Sequence, residues 1–299
     1  MEHLPLVSVG IPTYNRPKGL KRTLDSICTQ TYPNLQIIVS DNCSTDNSVK
    51  AILEEYSNKD KRIESYVQEE NRGAIYNFNF VLEKAKGEYF MWLADDDWLD
   101  TNCVERCVHF LILNMDYCSA YCLGKYYNQD GIFLHFDTFT FLENSSYSKR
   151  ILMYLQSVRY NSVFYGLKRI SDKDKYKAKP LLADDWMIVS RLLFSGKIKC
   201  IQDANLHISA GGASNDVSNM IPELHIKGFF SKNFIGLTVS KNVASDILKS
   251  EIYSIPTIRK IVLACQVFII SYTNTIMWDL ISIKRFFLSI ILKRDRFRL

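Results

Sequence analysis

The chain has 299 residues, of which 47% are apolar and 23% charged, with only 12 Gly and 7 Pro. That balance belongs to a globular protein of one large domain or two ordinary ones, and it excludes a disordered tail, a collagen and a coiled coil. The net charge of +5 is unevenly placed, +6 on residues 258–299 and −1 on the rest; this speaks against a uniformly basic nucleic-acid binder and suits a neutral body with a cationic, surface-seeking end.

Residues 6–11 form a short apolar run rich in β-branched side chains and ended by Pro12, which predicts a buried first strand with no leader ahead of it. Pro17 opens a helix to about Gln30. A second strand follows at 35–39, and Asp46 caps a helix to about Tyr56. Residues 63–67 read as a third strand and 74–86 as a helix stopped by Gly87. A fourth strand at 89–94 enters an acidic loop, a helix covers 101–113, and a fifth strand covers 117–123. Strand–helix alternation predicts an α/β fold, a Rossmann-like, mostly parallel sheet with helices on both faces. Ligands bind such sheets at the carboxyl ends of the strands, so the loops after Ile11, Val39 and Ala94 are where a site belongs.

The stretch 126–215 is less regular. It holds a Phe-rich hairpin arm at 132–142, helices at 147–157 and 186–194, and a strand at 199–207 leading into a loop with Gly211 and Gly212. From about 220 the pattern is helical. Ser271, Asn274, Thr275, Asp279, Ser282, Arg285, Ser289 and Lys293 recur every three or four residues, a polar stripe on an otherwise apolar helix. Residues 261–283 lack Lys and Arg and are long enough to span a bilayer, but Gln266, Asn274 and Asp279 lie within them. The expected arrangement is a helix lying in the membrane interface, rather than one packed on the body or spanning. Cys28, Cys43, Cys200 and Cys265 are scattered, while Cys103/Cys107 and Cys118/Cys122 lack the two-residue knuckle of a zinc site. All eight are expected to be reduced, as in a cytosol, the paired ones acting as small buried hydrophobes.

Three loops carry chemistry. The first is Pro12-Thr13-Tyr14-Asn15-Arg16. In the second, Asp41 comes straight off the strand end, where a carboxylate accepts from a ring N–H of a base while Tyr14 offers a stacking face. In the third, Asp95, Asp96 and Asp97 precede Trp98. Three adjacent carboxylates repel and raise one another's pKa, and a hard divalent cation, Mg²⁺ or Mn²⁺, relieves that repulsion.

Together with Gly87-Glu88-Tyr89, these segments resemble the family 2 glycosyltransferases of GT-A fold, over about residues 5–215. The resemblance implies a nucleotide-diphosphate sugar as donor, UDP- or dTDP-linked, a divalent metal, and inversion at the anomeric carbon. It implies that Pro12, Thr13, Tyr14, Asn15 and Asp41 hold the nucleotide, with Arg72 towards the phosphates. Asp95 and Asp96 would bind the donor, and Asp96 and Asp97 the metal. Leu182-Ala183-Asp184-Asp185-Trp186 resembles the family's Glu-Asp motif, so Asp185 would be the base that deprotonates the acceptor hydroxyl. Asp184, one methylene shorter than the usual Glu, would face the acceptor, and Trp98 and His207 would belong to the acceptor side or to a lid at 209–216. The implied organisation is a glycosyltransferase domain at 1–219, split into a nucleotide-sugar half (1–125) and an acceptor half (126–219), and a membrane-associating helical extension at 220–299.

The acceptor implied is a hydroxyl of a glycan or of a polyprenyl-linked glycan, as in assembly of bacterial surface polysaccharide such as O-antigen. The protein would then be cytoplasmic and peripheral on the inner face of the plasma membrane, with no nucleic-acid partner. Among the alternatives, a sugar nucleotidyltransferase needs a Gly-rich loop after the first strand, and no Gly precedes Gly19 there. A dehydrogenase would need G-x-G-x-x-G. A decayed sugar-nucleotide-binding module conflicts with the retained Asp41, Asp95–Asp97 and Asp185.

Overall fold

The computed structural model of the chain describes residues 4–137, 142–209, 231 and 233–295. β1 (Val7–Thr13), β2 (Leu35–Asp41), β3 (Ile63–Val67) and β4 (Tyr89–Trp92) pair in parallel in the order β3-β2-β1-β4. α1 (Pro17–Cys28), α2 (Asn47–Lys59) and α3 (Ala74–Lys84) connect them. Every residue of β1 and β2 is buried, as happens when helices cover both faces of a parallel sheet. Asp46 caps α2 as expected, accepting from Ser48 N at 2.9 Å.

Beyond β4 come β5 (Trp98–Leu99), α4 (Cys103–Leu113), β6 (Tyr117–Tyr127) and β7 (Phe133–Phe136). They are followed by α5 (Tyr147–Ser157), β8 (Leu167–Arg169), α6 (Asp184–Ser195) and β9 (Lys197–Ser209). The sheet continues β4-β8-β6-β9-β5, with β8 antiparallel to both β4 and β6 and β9 parallel to β6. The sheet is therefore mixed but mostly parallel around β1. One face packs Val7, Val9 and Ile11 against Leu20, Leu24, Val49 and Val104, and the other packs Ile38, Phe90 and Trp92 against Val81, Ile151 and Leu192. Successive strand residues serve opposite cores, the period-2 pattern of a two-sided sheet.

The last two helices are α7 (Ile235–Lys249) and α8 (Thr257–Asp295). Val239, Val243 and Ile247 of α7 and Leu263, Ala264 and Val267 of α8 lie in the same buried cluster as Trp92 and Leu155, so these helices share the core of the body. From Ser271 to Asp279 the polar stripe of α8 points inward. Asp279, 2% exposed, accepts from Gly236 N at 2.7 Å and Leu237 N at 3.0 Å, the unpaired first amides of α7. Asn274 Nδ2 donates to Leu155 O at 2.9 Å and Val158 O at 3.0 Å, at the end of α5. Ser271 and Thr275 are also buried. What α8 turns outward is mostly apolar: Ile258, Ile269, Met277 and Leu280 are 67%, 61%, 58% and 50% exposed. Helical periodicity locates a stripe but not the side it faces; here the orphan amides and carbonyls of α7 and α5 draw it in.

The cysteine expectation needs correction. Cys103 and Cys122 are joined by a disulfide, with Cα atoms 6.1 Å apart, and Cys107 Sγ lies 3.8 Å from Cys122 Sγ. α4 packs on β6 so that its first turn meets the middle of the strand. The domain boundary expected at 219–220 and residues 210–216 of the expected lid lie outside the described residues.

Candidate active site

The parallel register sets Pro12 beside Ser40 and Thr13 beside Asp41, and Asn42 N donates to Thr13 O at 3.0 Å. Asn15, at φ 54°, folds back so that its Oδ1 accepts from Thr45 N at 2.8 Å and Asp46 N at 3.1 Å. Asn15 thereby joins the loops after β1 and β2. Asp41 is buried and its Oδ1 takes Ser44 N at 3.0 Å and the Ser44 hydroxyl; no described residue donates to its Oδ2. The Tyr14 ring stands 40% exposed at the same edge. Asn77 Nδ2 donates to Ser40 O at 2.8 Å, while its buried Oδ1 has no partner among the described residues. Arg72 sits at the outer rim, its guanidinium 3.9 Å above the Tyr76 ring and its amide bonded to Asn42 Oδ1.

Asp95 ties the loop after β4 to the loop after β1. Its Oδ2 accepts from Thr13 Oγ1 at 2.8 Å and Tyr14 N at 3.3 Å, and its Oδ1 from Arg16 at 3.2 Å. The same Arg16 nitrogen reaches Asp96 Oδ2 at 2.7 Å. Asp97 is buried, and its Oδ1 accepts from Ser209 N at 3.0 Å. α1 comes close enough to this loop that a Cβ on Gly19 would fall 2.5 Å from Asp95 O, and Thr23 Oγ1 donates to Asp97 O at 2.7 Å. Burial pushes Asp95 up to about 6, against the pull of Arg16. Asp96 is also raised by burial, and Asp97 well above the usual carboxylate range by burial and by Asp96 beside it.

The donor set is of the kind a hard divalent cation takes: adjacent carboxylates on one loop, buried or nearly so, with raised proton affinity that a cation would offset. Asp95 has both oxygens engaged. Asp96 Oδ1 and Asp97 Oδ2 have no donor from another described residue, so these two are the carboxylates with an oxygen to offer. Beside them lies an open cleft of about 250 Å³ lined by Arg16, Arg22, Asp96, Trp98, Tyr127 and Ser209, among others. Arg22, which the sequence reading passed over, stacks 3.8 Å from the Trp98 ring and bonds Asp96 O and the Ser209 hydroxyl. Its helical spacing from Gly19, one turn earlier on the same face, was the available signal.

His207 has both ring nitrogens engaged, by Asp100 Oδ1 and by the Tyr127 hydroxyl, each at 2.8 Å. Its ring stacks on Trp98 at 4.9 Å. In this arrangement His207 anchors the Trp98 strand to β9 and has no nitrogen to spare for a ligand.

Asp184 and Asp185 open α6, following Ala183 at φ 61°. Asp185 Oδ2 accepts from Asn161 Nδ2 at 2.7 Å, and the Tyr154 hydroxyl donates to Asn161 Oδ1 at 2.9 Å. Burial raises Asp185, held back by the Asn161 bond. Asp184 is raised by burial to about 7, and its buried Oδ1 has no partner among the described residues. Asn161 gives no sequence signal, since it lies in an irregular stretch 24 residues before its partner. Trp186, next to Asp185, lies 6.2 Å from Trp278 of α8.

Comparison with known proteins agrees with this architecture. The family model described as Glycosyl transferase family 2 matches residues 8–174. The glycosyltransferase GlyA of Streptococcus pneumoniae is 34% identical over 146 residues, 48% of this chain and 20% of that protein. The putative teichuronic acid biosynthesis glycosyltransferase TuaG of Bacillus subtilis is 37% identical over 108 residues, 36% of this chain and 42% of that protein. The aligned part thus spans less than half the length of these curated relatives. Among solved structures, S. aureus TarS 1-349 in complex with UDP-GlcNAc aligns with TM-score 0.61 at 20% identity, covering 90% of this chain and 73% of that one. The mannosyltransferase PcManGT of Pyrobaculum calidifontis, in complex with GDP-Man and Mn²⁺, aligns with TM-score 0.54 at 13% identity, covering 93% and 88%. At these identities the likeness is one of fold.

Proposed function

Since the chain belongs to glycosyl transferase family 2, and so is a glycosyltransferase of GT-A-like fold, we propose that it moves a sugar from a nucleotide-diphosphate donor to a glycan or polyprenyl-linked hydroxyl with inversion. The observation that carries this reading is the bonding of Asp95, which makes one edge of the loops after β1 and β4. In this reading Tyr14 stacks on the base and Asp41 Oδ2 accepts from it. Asp96 and Asp97 hold Mg²⁺ or Mn²⁺, which when bound offsets charge on the departing diphosphate. Arg16 and Arg22 line the cleft beside them and add fixed positive charge there. Asp185, kept in place by Asn161, takes the proton of the acceptor hydroxyl as that oxygen attacks the sugar from the face opposite the diphosphate. One displacement leaves no covalent enzyme intermediate. UDP-, UDP-GlcNAc- and GDP-Man-bound structures of similar fold support a sugar nucleotide as donor, and the TuaG likeness supports a surface polysaccharide as product.

A membrane-associating role for α7 and α8, packed on the body as they are, belongs to the same proposal, with a cytoplasmic, peripheral location. The outward apolar face of α8 supports it, since a contiguous exposed apolar surface is rare on a protein meant to sit in water alone. Thr257–Lys284 is long and apolar enough to cross a bilayer. Its inward bonds to α5 and α7 favour a helix that keeps one side on the body and lays the other on lipid. The experiment is a donor screen: protein, Mn²⁺ and a panel of UDP-, dTDP- and GDP-sugars, read as released nucleoside diphosphate, with the anomeric configuration of the product followed by NMR. Release from one donor with inversion is expected; no release from any, or retention, would overturn the reading.

A further inference from the structure

Asp137 directly follows β7 and is only 4% exposed, yet it belongs to neither acidic cluster described above. Its amide donates to Gly124 O of β6 at 2.8 Å, which ties it to that strand. Its Oδ2 accepts twice from Ser162, from the amide at 3.0 Å and from the hydroxyl at 2.8 Å, and lies 3.4 Å from the Tyr126 hydroxyl. Two bonds to one carboxylate oxygen fix both the backbone and the side chain of Ser162, which is itself fully buried. The fit leaves no slack: a Cβ on Gly124 would fall 2.7 Å from Ser162 Cβ and 3.1 Å from Asp137 Cβ. A carboxylate buried in this way stays only where donors meet it, and Ser162 supplies two.

Ser162 opens the 3-10 turn Ser162–Tyr165, and the residue before it is Asn161. The Asn161 carbonyl accepts from Phe164 N at 3.1 Å. Its side chain lies between Tyr154 and Asp185, accepting from the Tyr154 hydroxyl at 2.9 Å and donating to Asp185 Oδ2 at 2.7 Å. Asn161 and Ser162 share one planar peptide unit, so a turn of Ser162 swings the Asn161 side chain with it. We infer that Asp137 is a positioning residue for the candidate base: by clamping Ser162 it sets the backbone of Asn161, and so the side-chain donor on Asp185 Oδ2. This rests on the reading of Asp185 as the base. A donor to a carboxylate favours its charged form, and the Asn161 bond offsets part of the rise that burial imposes on Asp185. The titratable neighbours are Asp184 beside Asp185, Tyr154 behind Asn161, and Tyr126 and His135 around Asp137. Neither Asp137 nor Asp185 forms an ion pair with Lys or Arg among the described residues, so hydrogen bonds govern both.

The test compares Asp137→Ala, which removes the clamp, with Asp137→Asn, which keeps an accepting oxygen in its place. Two readouts are taken on the full chain. The first needs no turnover: the Asn161 side-chain amide, followed by ¹⁵N NMR, should shift as Asp185 titrates in the wild-type protein. That shift should be lost in Asp137→Ala and kept in Asp137→Asn. The second is the pH profile of kcat, whose acid limb reports the base in the bound enzyme. Asp137→Ala should lower kcat about 3- to 10-fold and move that limb up by about half a pH unit, while Mn²⁺-dependent affinity for the nucleoside diphosphate is unchanged. In an Asn161→Ala background Asp137→Ala should add no further loss, because both act on one donor. Should Asp137→Ala unfold the protein, Ser162→Ala, which removes one of the two clamp bonds, is read in the same way. An unchanged amide shift in Asp137→Ala, a further full loss in the Asn161→Ala background, or Asp137→Asn as poor as Asp137→Ala would each overturn the assignment. If the amide responds as expected but kcat does not follow, the clamp stands and the reading of Asp185 as the base falls.

Discussion

In the loops after β1, β2 and β4 two carboxylates are tied down: Asp95 accepts from Thr13, Tyr14 and Arg16, and Asp41 from the backbone and hydroxyl of Ser44. At the start of α6, Asp185 has one side-chain donor, Asn161, and Asp184 Oδ1 has none among the described residues. On the proposed reading the first set is preorganised for a ligand whose charges are fixed, as a diphosphate's are. On the proposed reading the acceptor completes the second set, where Trp186 beside Asp185 lies 6.2 Å from Trp278 of α8. The proposal gives metal and nucleotide to the first set of acids and proton transfer to the second, and it can be broken at several places.

The largest effect should come from Asp185→Asn, which keeps the Asn161 neighbourhood and removes the base. Transfer should fall about 10²–10⁴-fold, followed by product formation at saturating donor. A loss below tenfold would place the base elsewhere. Next, Asp279→Leu leaves Gly236 N and Leu237 N unpaired beneath α8 and should cost about 1–3 kcal/mol, read by denaturant unfolding of the full chain. No change would mean that the inward stripe contributes nothing to holding α8. Third, Met277→Glu with Leu280→Glu puts two charges on the outward face. Binding to anionic vesicles should drop at least about tenfold in a flotation assay while the unfolding midpoint stays put; unchanged binding would remove α8 from the membrane proposal.

The smallest effect concerns pH. Asp184 is raised to about 7 and Asp137, buried and bonded to Ser162, to about 6. Their ordinary values lie near 4. Between about pH 4 and 7 the folded protein therefore keeps protons that the unfolded chain sheds, and stability falls as pH rises through that window. Asp184→Asn should flatten part of this slope, by about 2–4 °C in the difference between melts at pH 5 and pH 7.5. An unaltered slope would show that Asp184 titrates normally.

The donor half was legible in the sequence because each buried strand there ends at a loop whose polar residues have no helical or strand role. The run 6–11 stops at Pro12 and the run 89–94 at Asp95, and the strands indeed carry those loops to one edge. β5, at two residues, and β8, at three, are too short to leave a periodic signal. Asn161 was hidden in the irregular stretch before β8, and only its bond to Asp185 marks it. The direction of the α8 stripe was equally hidden, because it is set by unpaired groups on α5 and α7 far away in the chain. The Cys103–Cys122 bridge depends on how α4 packs on β6, which spacing alone does not reveal.

The most direct measurement compares Asp97→Ala with Asp185→Asn by calorimetric titration of the nucleoside diphosphate identified in the donor screen, with and without Mn²⁺. In the wild-type protein Mn²⁺ should tighten binding. Asp97→Ala should lose that metal-dependent part, and Asp185→Asn should keep it within about threefold, a change of under 1 kcal/mol. Metal-independent binding in the wild-type protein, or equal loss in both variants, would contradict the division into a donor-binding set of acids and a proton-accepting set.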